Sequence, residues 1–504
     1  MGIIQRQALL NTIVNYLGII IGFVNVVILF PLFLSQEEFG LTRLVLSLAT
    51  TMAQLSSFGV HRIAIKFFPV FRKETHKNNG LFLILFLLSI TGTIVISLLY
   101  FLFKNPILHY YQDEGNLFSN YYYLIPLATF GIVIFIVFES FLQALRKTVF
   151  TNFLRNVLIR IYWLVALAFY YKGFFSFYHF MIIYMLGYFF VAAMCIFQLV
   201  ASNEFSFDIN KKYFKSRLLK PMINYGSYTI FSGLTLVLVI SIDTLMIGAL
   251  LPEQKLTYIG VYAVATYIVS VIFVPNTALA RIASPLIAHD WRAKNLKNID
   301  EVYKKSSIIM SFAGGIIFGA IAINIDGILS FMKPEYALAK YVIIILGFSR
   351  VIVMSFGINY SILVVTKFYR AEIVLAIFLL VLVVVTNLIF IPIYGIIGAA
   401  IGTALAIIMF NILTFIYIKQ KIKLQPFSFK TLYMLLIGCA TWYITYSLSI
   451  TLNNQLFLII VKSIIFCLLY ITPVYFFKIS DDINILIETY VKKFFSIWKN
   501  IFPQ

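Results

Sequence analysis

The chain has 504 residues, of which 62% are hydrophobic, with 39 lysines and arginines against 19 acids and a formal net charge of +20. So large an apolar share excludes a water-soluble fold and leaves an all-helical polytopic membrane protein. The positive charge alone would suit a nucleic-acid binder, but its distribution along the chain argues against that class, as shown below.

About fourteen apolar spans follow one another, at 8–34, 41–65, 80–103, 120–145, 153–171, 178–201, 222–250, 258–283, 306–331, 338–365, 371–391, 394–418, 431–450 and 456–477. Each is near the roughly 20 residues that a membrane helix needs. Of the 39 basic residues, 28 fall in or at the edge of every second gap and only 5 (Lys104, Lys172, Lys255, Lys333 and Lys340) in or at the edge of the intervening gaps. The positive-inside rule turns this into a topology: an even number of spans, both ends cytoplasmic, in a cytoplasmic membrane. The charge therefore belongs to the cytoplasmic face, where it meets anionic lipid, and no nucleic-acid partner is expected. The run Lys211-Lys212-Tyr213-Phe214-Lys215 to Lys220 reads as a basic cytoplasmic linker at 206–221. In the tail, 479–504, Ser480 can cap a helix with Asp481 and Asp482 in its first turn. Ile483, Ile487, Tyr490, Phe494, Trp498 and Ile501 then recur at helical spacing with lysines between them. This pattern predicts an amphipathic helix lying on the cytoplasmic membrane face. Cys195, Cys439 and Cys467 sit in apolar spans at unrelated spacings, so neither a disulfide framework nor a metal site is expected.

A repeat is visible across the two halves. The first hairpin turns through Gln36-Glu37-Glu38 into Gly40 and reaches Arg62; the seventh span turns through Pro252-Glu253-Gln254 into Gly260 and reaches Arg281. An even number of spans separates them, so the repeats are parallel, about an axis along the membrane normal.

Three stretches resemble a known family. Leu34-Ser35-Gln36-Glu37-Glu38-Phe39-Gly40-Leu41, then Ser56-Ser57-Phe58-Gly59-Val60, is similar to the first hairpin of polysaccharide exporters of the MOP superfamily. Ile242-Asp243-Thr244-Leu245-Met246-Ile247-Gly248, then Ile259-Gly260-Val261-Tyr262, resembles their seventh and eighth helices. Asn387 to Thr403, with Ile391-Pro392-Ile393-Tyr394-Gly395-Ile396-Ile397-Gly398-Ala399-Ala400, resembles the eleventh-to-twelfth turn of Wzx-type O-antigen and capsule flippases. The resemblance implies a six-helix N-terminal lobe (1–205), a C-terminal lobe (222–420) and two extra helices (421–478). It also implies a flippase, not an enzyme, that moves a polyprenyl-pyrophosphate-linked oligosaccharide to the outer leaflet. Polysaccharide polymerase and glycosyltransferases would then be its working partners. Within the same superfamily the competing reading is a cation-coupled multidrug antiporter.

The remaining 6 basic residues lie inside spans and are the candidate site. A charge there costs at least about 2.5–3.5 kcal/mol, so it needs a partner or a wet cavity. Arg350, near the midplane, is the hardest to explain otherwise. Arg160 suits either a cavity or a structural pairing. Arg62 and Arg281 lie near cytoplasmic ends at matching depths, and basic residues in helices two and eight line the cavity of the related lipid II flippases. Guanidinium forks hold pyrophosphate oxygens without losing their charge. Arg43 and Lys462 lie near outer interfaces and read as snorkelling anchors. Among the acids, Asp243 lies well inside a span, as a salt-bridge partner or a coupling site for H+ or Na+, whereas Glu139 and Asp326 lie near span ends. Asn11, Asn15, Asn25, Asn224, Tyr225 and Tyr228 either meet sugar or hold helices together. Pro275, within span eight, reads as a hinge or a static kink. No cofactor is expected.

Overall fold

The computed structural model describes residues 3–72, 80–111, 116–205, 216–448 and 452–485, together with 450, 487–489 and 492. The basic linker lies outside the described residues except for its last few positions. Among the described residues the regular structure is helical.

The helices are α1 (3–33), α2 (36–71), α3 (81–102), α4 (124–144), α5 (148–171), α6 (177–201) and α7 (216–250), followed by α8 (255–292), α9 (296–323), α10 (339–365), α11 and α12 (369–422, divided at Gly395), α13 (429–447) and α14 (455–476). They occupy the fourteen expected spans. Among the described residues ten stretches are long and apolar enough to cross a membrane, with 371–422 counted once. The remaining spans, α2, α7 and α13, are broken or more polar.

Local chemistry sets the ends and breaks. Ser35 caps α2, its hydroxyl accepting from the Glu38 amide while the Glu38 carboxylate accepts from the Ser35 amide, a reciprocal capping box. The break within α2 passes through Gly59 at φ 68°, and that within α8 falls at Phe273, immediately before Val274-Pro275. Pro275 therefore lies in the first turn after the break, where its missing N–H costs little. Helices α1 and α5 each contain a π-helical turn, at Val24–Leu29 and Leu154–Leu158. The expected α11–α12 turn is present: Gly395 takes φ 60° and ψ −136°, a conformation open almost only to glycine.

The chain forms two compact units, one of residues 1–267 with 380–399 and the other of 268–379 with 400–504. This division differs from a split between sequential lobes. Within the first unit, α7 packs along α2, and the segments around Asn387 are drawn to α7 by a hydrogen bond. At the centre of that unit lies α4, 72% of whose apolar stretch is buried, against 17% for α14 in the other unit. The second unit is built around α9, which packs on α10, α13 and α14.

The repeat has a structural counterpart inside the first unit. A methyl group on Gly40 would collide with the Leu256 carbonyl, and one on Gly260 would come within 2.8 Å of the Gln36 carbonyl. Each glycine thus faces the carbonyl four residues before the other, a reciprocal contact of the kind two-fold-related elements make. Here α2 and α8 cross backbone to backbone.

The start of the tail does not lie free. Ile479 and Ile483 are buried with Ile308, Met434 and Val474 of α9, α13 and α14, and Lys305 pairs with Asp482 at 3.4 Å. Of the apolar stripe, Tyr490, Phe494, Trp498 and Ile501 lie outside the described residues.

Candidate functional site

Polar groups of α1 face α5 at helical intervals. The Asn11 amide donates to Thr148 at 3.2 Å and accepts from Asn152 at 2.6 Å, and Asn15 accepts from Asn156 at 2.9 Å. Asn25 donates to the Arg160 carbonyl at 2.9 Å, while the Arg160 guanidinium donates to the Gly18 carbonyl. The Tyr267 hydroxyl donates to the Ile19 carbonyl at 3.3 Å, and a methyl group on Gly22 would overlap both Tyr267 and Arg160. Asn15, Asn25 and Arg160 therefore hold α1 against its neighbours, the structural alternative for each. One valence stays open: the Asn25 Oδ1 is buried with no hydrogen-bond partner among the described residues.

Arg43 departs from the snorkelling expectation. Its guanidinium lies over the rings of Phe30 and Phe39, at 5.2 and 4.9 Å, and its Nε and Nη2 are buried without hydrogen-bond partners among the described residues. The Tyr184 hydroxyl, fully buried, likewise lacks a partner among the described residues. A guanidinium so enclosed points inward because aromatic faces stabilise it there.

Arg62 and Arg281 are both accessible, and neither makes an ion pair among the described residues. Arg350, half-buried on α10, lies over the ring of Phe273 at 5.3 Å, at the break of α8. Tyr225 is engaged by the Lys66 ammonium, 3.6 Å from its ring centre.

The acids inside spans are committed. Asp243 of α7 is 6% exposed and accepts from the Tyr262 hydroxyl at 2.5 Å and from the Asn387 amide at 2.8 Å. One carboxylate thus joins α7, α8 and α11. Glu139 of α4 is fully buried and holds Arg155 in a two-pronged pair, with Gln143 donating at 3.3 Å. Arg155 belongs to α5, and Glu139, near the end of α4 as expected, is also a core residue. Asp326 is paired with Lys340 at 2.6 Å.

The second unit also holds a cavity of about 500 Å³ between α9, α10, α13 and α14, lined by Gly315, Phe318, Phe348, Trp442 and Tyr470 among others. Its walls are almost wholly apolar. No group of His, Cys, Asp and Glu able to hold a metal occurs among the described residues.

The fold is shared with solved membrane transporters. The lipid II flippase MurJ, in an inward closed conformation, superposes with a TM-score of 0.71 at 14% identity, covering 93% of this chain and 99% of that one. An inward-facing multidrug resistance MATE family transporter of the MOP superfamily gives 0.61 at 15% identity, covering 84% and 95%. No curated protein matches the chain by sequence. The family of polysaccharide biosynthesis proteins matches residues 4–282, more than half of the chain. The chain belongs to the polysaccharide biosynthesis protein family and has the fold of these solved transporters.

Proposed function

We propose that this protein is a transporter that flips a polyprenyl-pyrophosphate-linked oligosaccharide from the inner to the outer leaflet of the cytoplasmic membrane by alternating access. It would thereby feed surface polysaccharide synthesis of the O-antigen or capsule type, downstream of glycosyltransferases and upstream of a polymerase. One observation carries this reading: the balance of charge within the spans is cationic. Glu139 is taken up by Arg155 and Asp243 by Tyr262 and Asn387, whereas Arg62 and Arg281 make no ion pair among the described residues. Arg62 in the first unit, and Arg281 and Arg350 in the second, each offer a cation that attracts pyrophosphate. The apolar cavity beside α13 and α14 suits a polyprenyl chain, and Pro275, at the break of α8, suits the hinge.

Asp243 is the natural coupling site. Two uncharged donors to it, Tyr262 and Asn387, come from α8 and α11, so a proton or Na+ on the carboxylate would change both of these bonds at once. The same carboxylate supports the second reading, a cation-coupled multidrug antiporter. Two assays separate them. On gene deletion, lipid-linked oligosaccharide should accumulate on the inner leaflet, and resistance to cationic dyes should be unchanged. Dye sensitivity without accumulation would refute the flippase reading.

A further inference from the structure

A second polar site lies at the opposite end of the second unit from the basic loops. A cavity of about 300 Å³ there is lined by Asn324, Asp326, Thr445, Tyr446, Gln455 and Lys462. Lys462 sits eight residues into α14, about 10 Å along the helix from its start. It is half-buried, and no carboxylate pairs with it among the described residues. The acid in the same cavity, Asp326, is already held by Lys340 at 2.6 Å, so the three charges leave a net positive site. Asn324 is 3% exposed; its amide donates to the Ala320 carbonyl and the Ser463 hydroxyl, both at 2.9 Å. Its Oδ1 is buried with no hydrogen-bond partner among the described residues.

Snorkelling accounts for the position of an ammonium but not for a buried acceptor left open beside it. Together they ask for a ligand with an anionic oxygen for Lys462 and a hydroxyl or amine for Asn324. We propose that this cavity binds the phosphodiester headgroup of an anionic glycerophospholipid from the leaflet opposite the basic loops. The apolar outer face of α14, with Leu456, Phe457, Ile460 and Ile464 exposed, offers its acyl chains a track. The assignment does not depend on the flippase reading, because it concerns a resident lipid rather than a cargo.

Native mass spectrometry of the full chain in mild detergent tests it, with phosphatidylglycerol, phosphatidylcholine and undecaprenyl phosphate as probes. Phosphatidylglycerol should be retained about fivefold better than phosphatidylcholine, the factor one basic residue contributes at an anionic interface. Lys462→Met should abolish that preference and Lys462→Arg should keep it. Removing a charge from an apolar helix does not endanger folding, and monodisperse elution verifies it. Equal retention of both phospholipids, or a preference that survives Lys462→Met, would overturn the site. Lys462-dependent retention of undecaprenyl phosphate without that of phosphatidylglycerol would overturn the phospholipid assignment in favour of the carrier lipid.

Discussion

Glu139 and Arg155 are unequal partners, and the inequality is measurable. The Glu139 side chain is 1% exposed, that of Arg155 50%. Arg155→Met strands a buried carboxylate and should cost about 3–5 kcal/mol, whereas Glu139→Gln leaves a less enclosed, half-exposed arginine and should cost less. Thermal unfolding of the purified variants gives the order, and the double variant Glu139→Leu with Arg155→Met should regain part of the loss. Arg62 and Arg281 predict the opposite pattern. With no carboxylate to strand, Arg62→Ala and Arg281→Ala should leave the melting temperature unchanged and lower complementation of a deletion strain, lysine restoring it only in part. Asp243→Asn keeps the shape of the site but removes its charge. Expression should persist while ion-dependent transport is lost, which a flux assay in proteoliposomes with imposed H+ and Na+ gradients would read. Several of these residues could not be placed from sequence. Position in a span gives depth, and depth put Arg43 and Glu139 near the ends; it does not give the face of the helix, which turned both inward. One partner of Asp243 was equally hidden, since Asn387 lies 144 residues away.

At the scale of the element, the turns were more legible than the faces. Proline followed by tyrosine and glycine can only end α11 and start α12, and the chain reverses at Gly395. Gly395→Ala should destabilise by about 1–3 kcal/mol, because a Cβ at positive φ and ψ −136° is strained whatever space surrounds it. Unfolding followed by circular dichroism would show this, with Ala400→Gly as a control in regular helix. The π-helical turns in α1 and α5 left no mark on composition or periodicity. They widen each helix by one residue near Asn25 and Asn156, and so keep polar side chains on the shared face past the point where a regular helix would have rotated them away.

For the whole molecule, alternation of basic gaps predicts sidedness. A cysteine in place of Lys333 should react with an impermeant maleimide on intact cells, and one in place of Lys297 only after permeabilisation; labelling of both from outside would reject the topology. The number of spans was readable because most of them are long apolar runs. The compact units were not, because chain order says nothing of which helices share a core, and residues 380–399 join the unit of 1–267. The reciprocal meeting of Gly40 and Gly260 has a mechanical meaning. Where two helices touch without side chains, nothing interdigitates, so their axes can scissor without one row of side chains climbing over another. Such a crossing is a fulcrum. The unbroken part of α2 runs 16 residues from Gly40 to Ser56, a lever arm of about 24 Å, so a swing of about 10° would carry the break before Arg62 through about 4 Å.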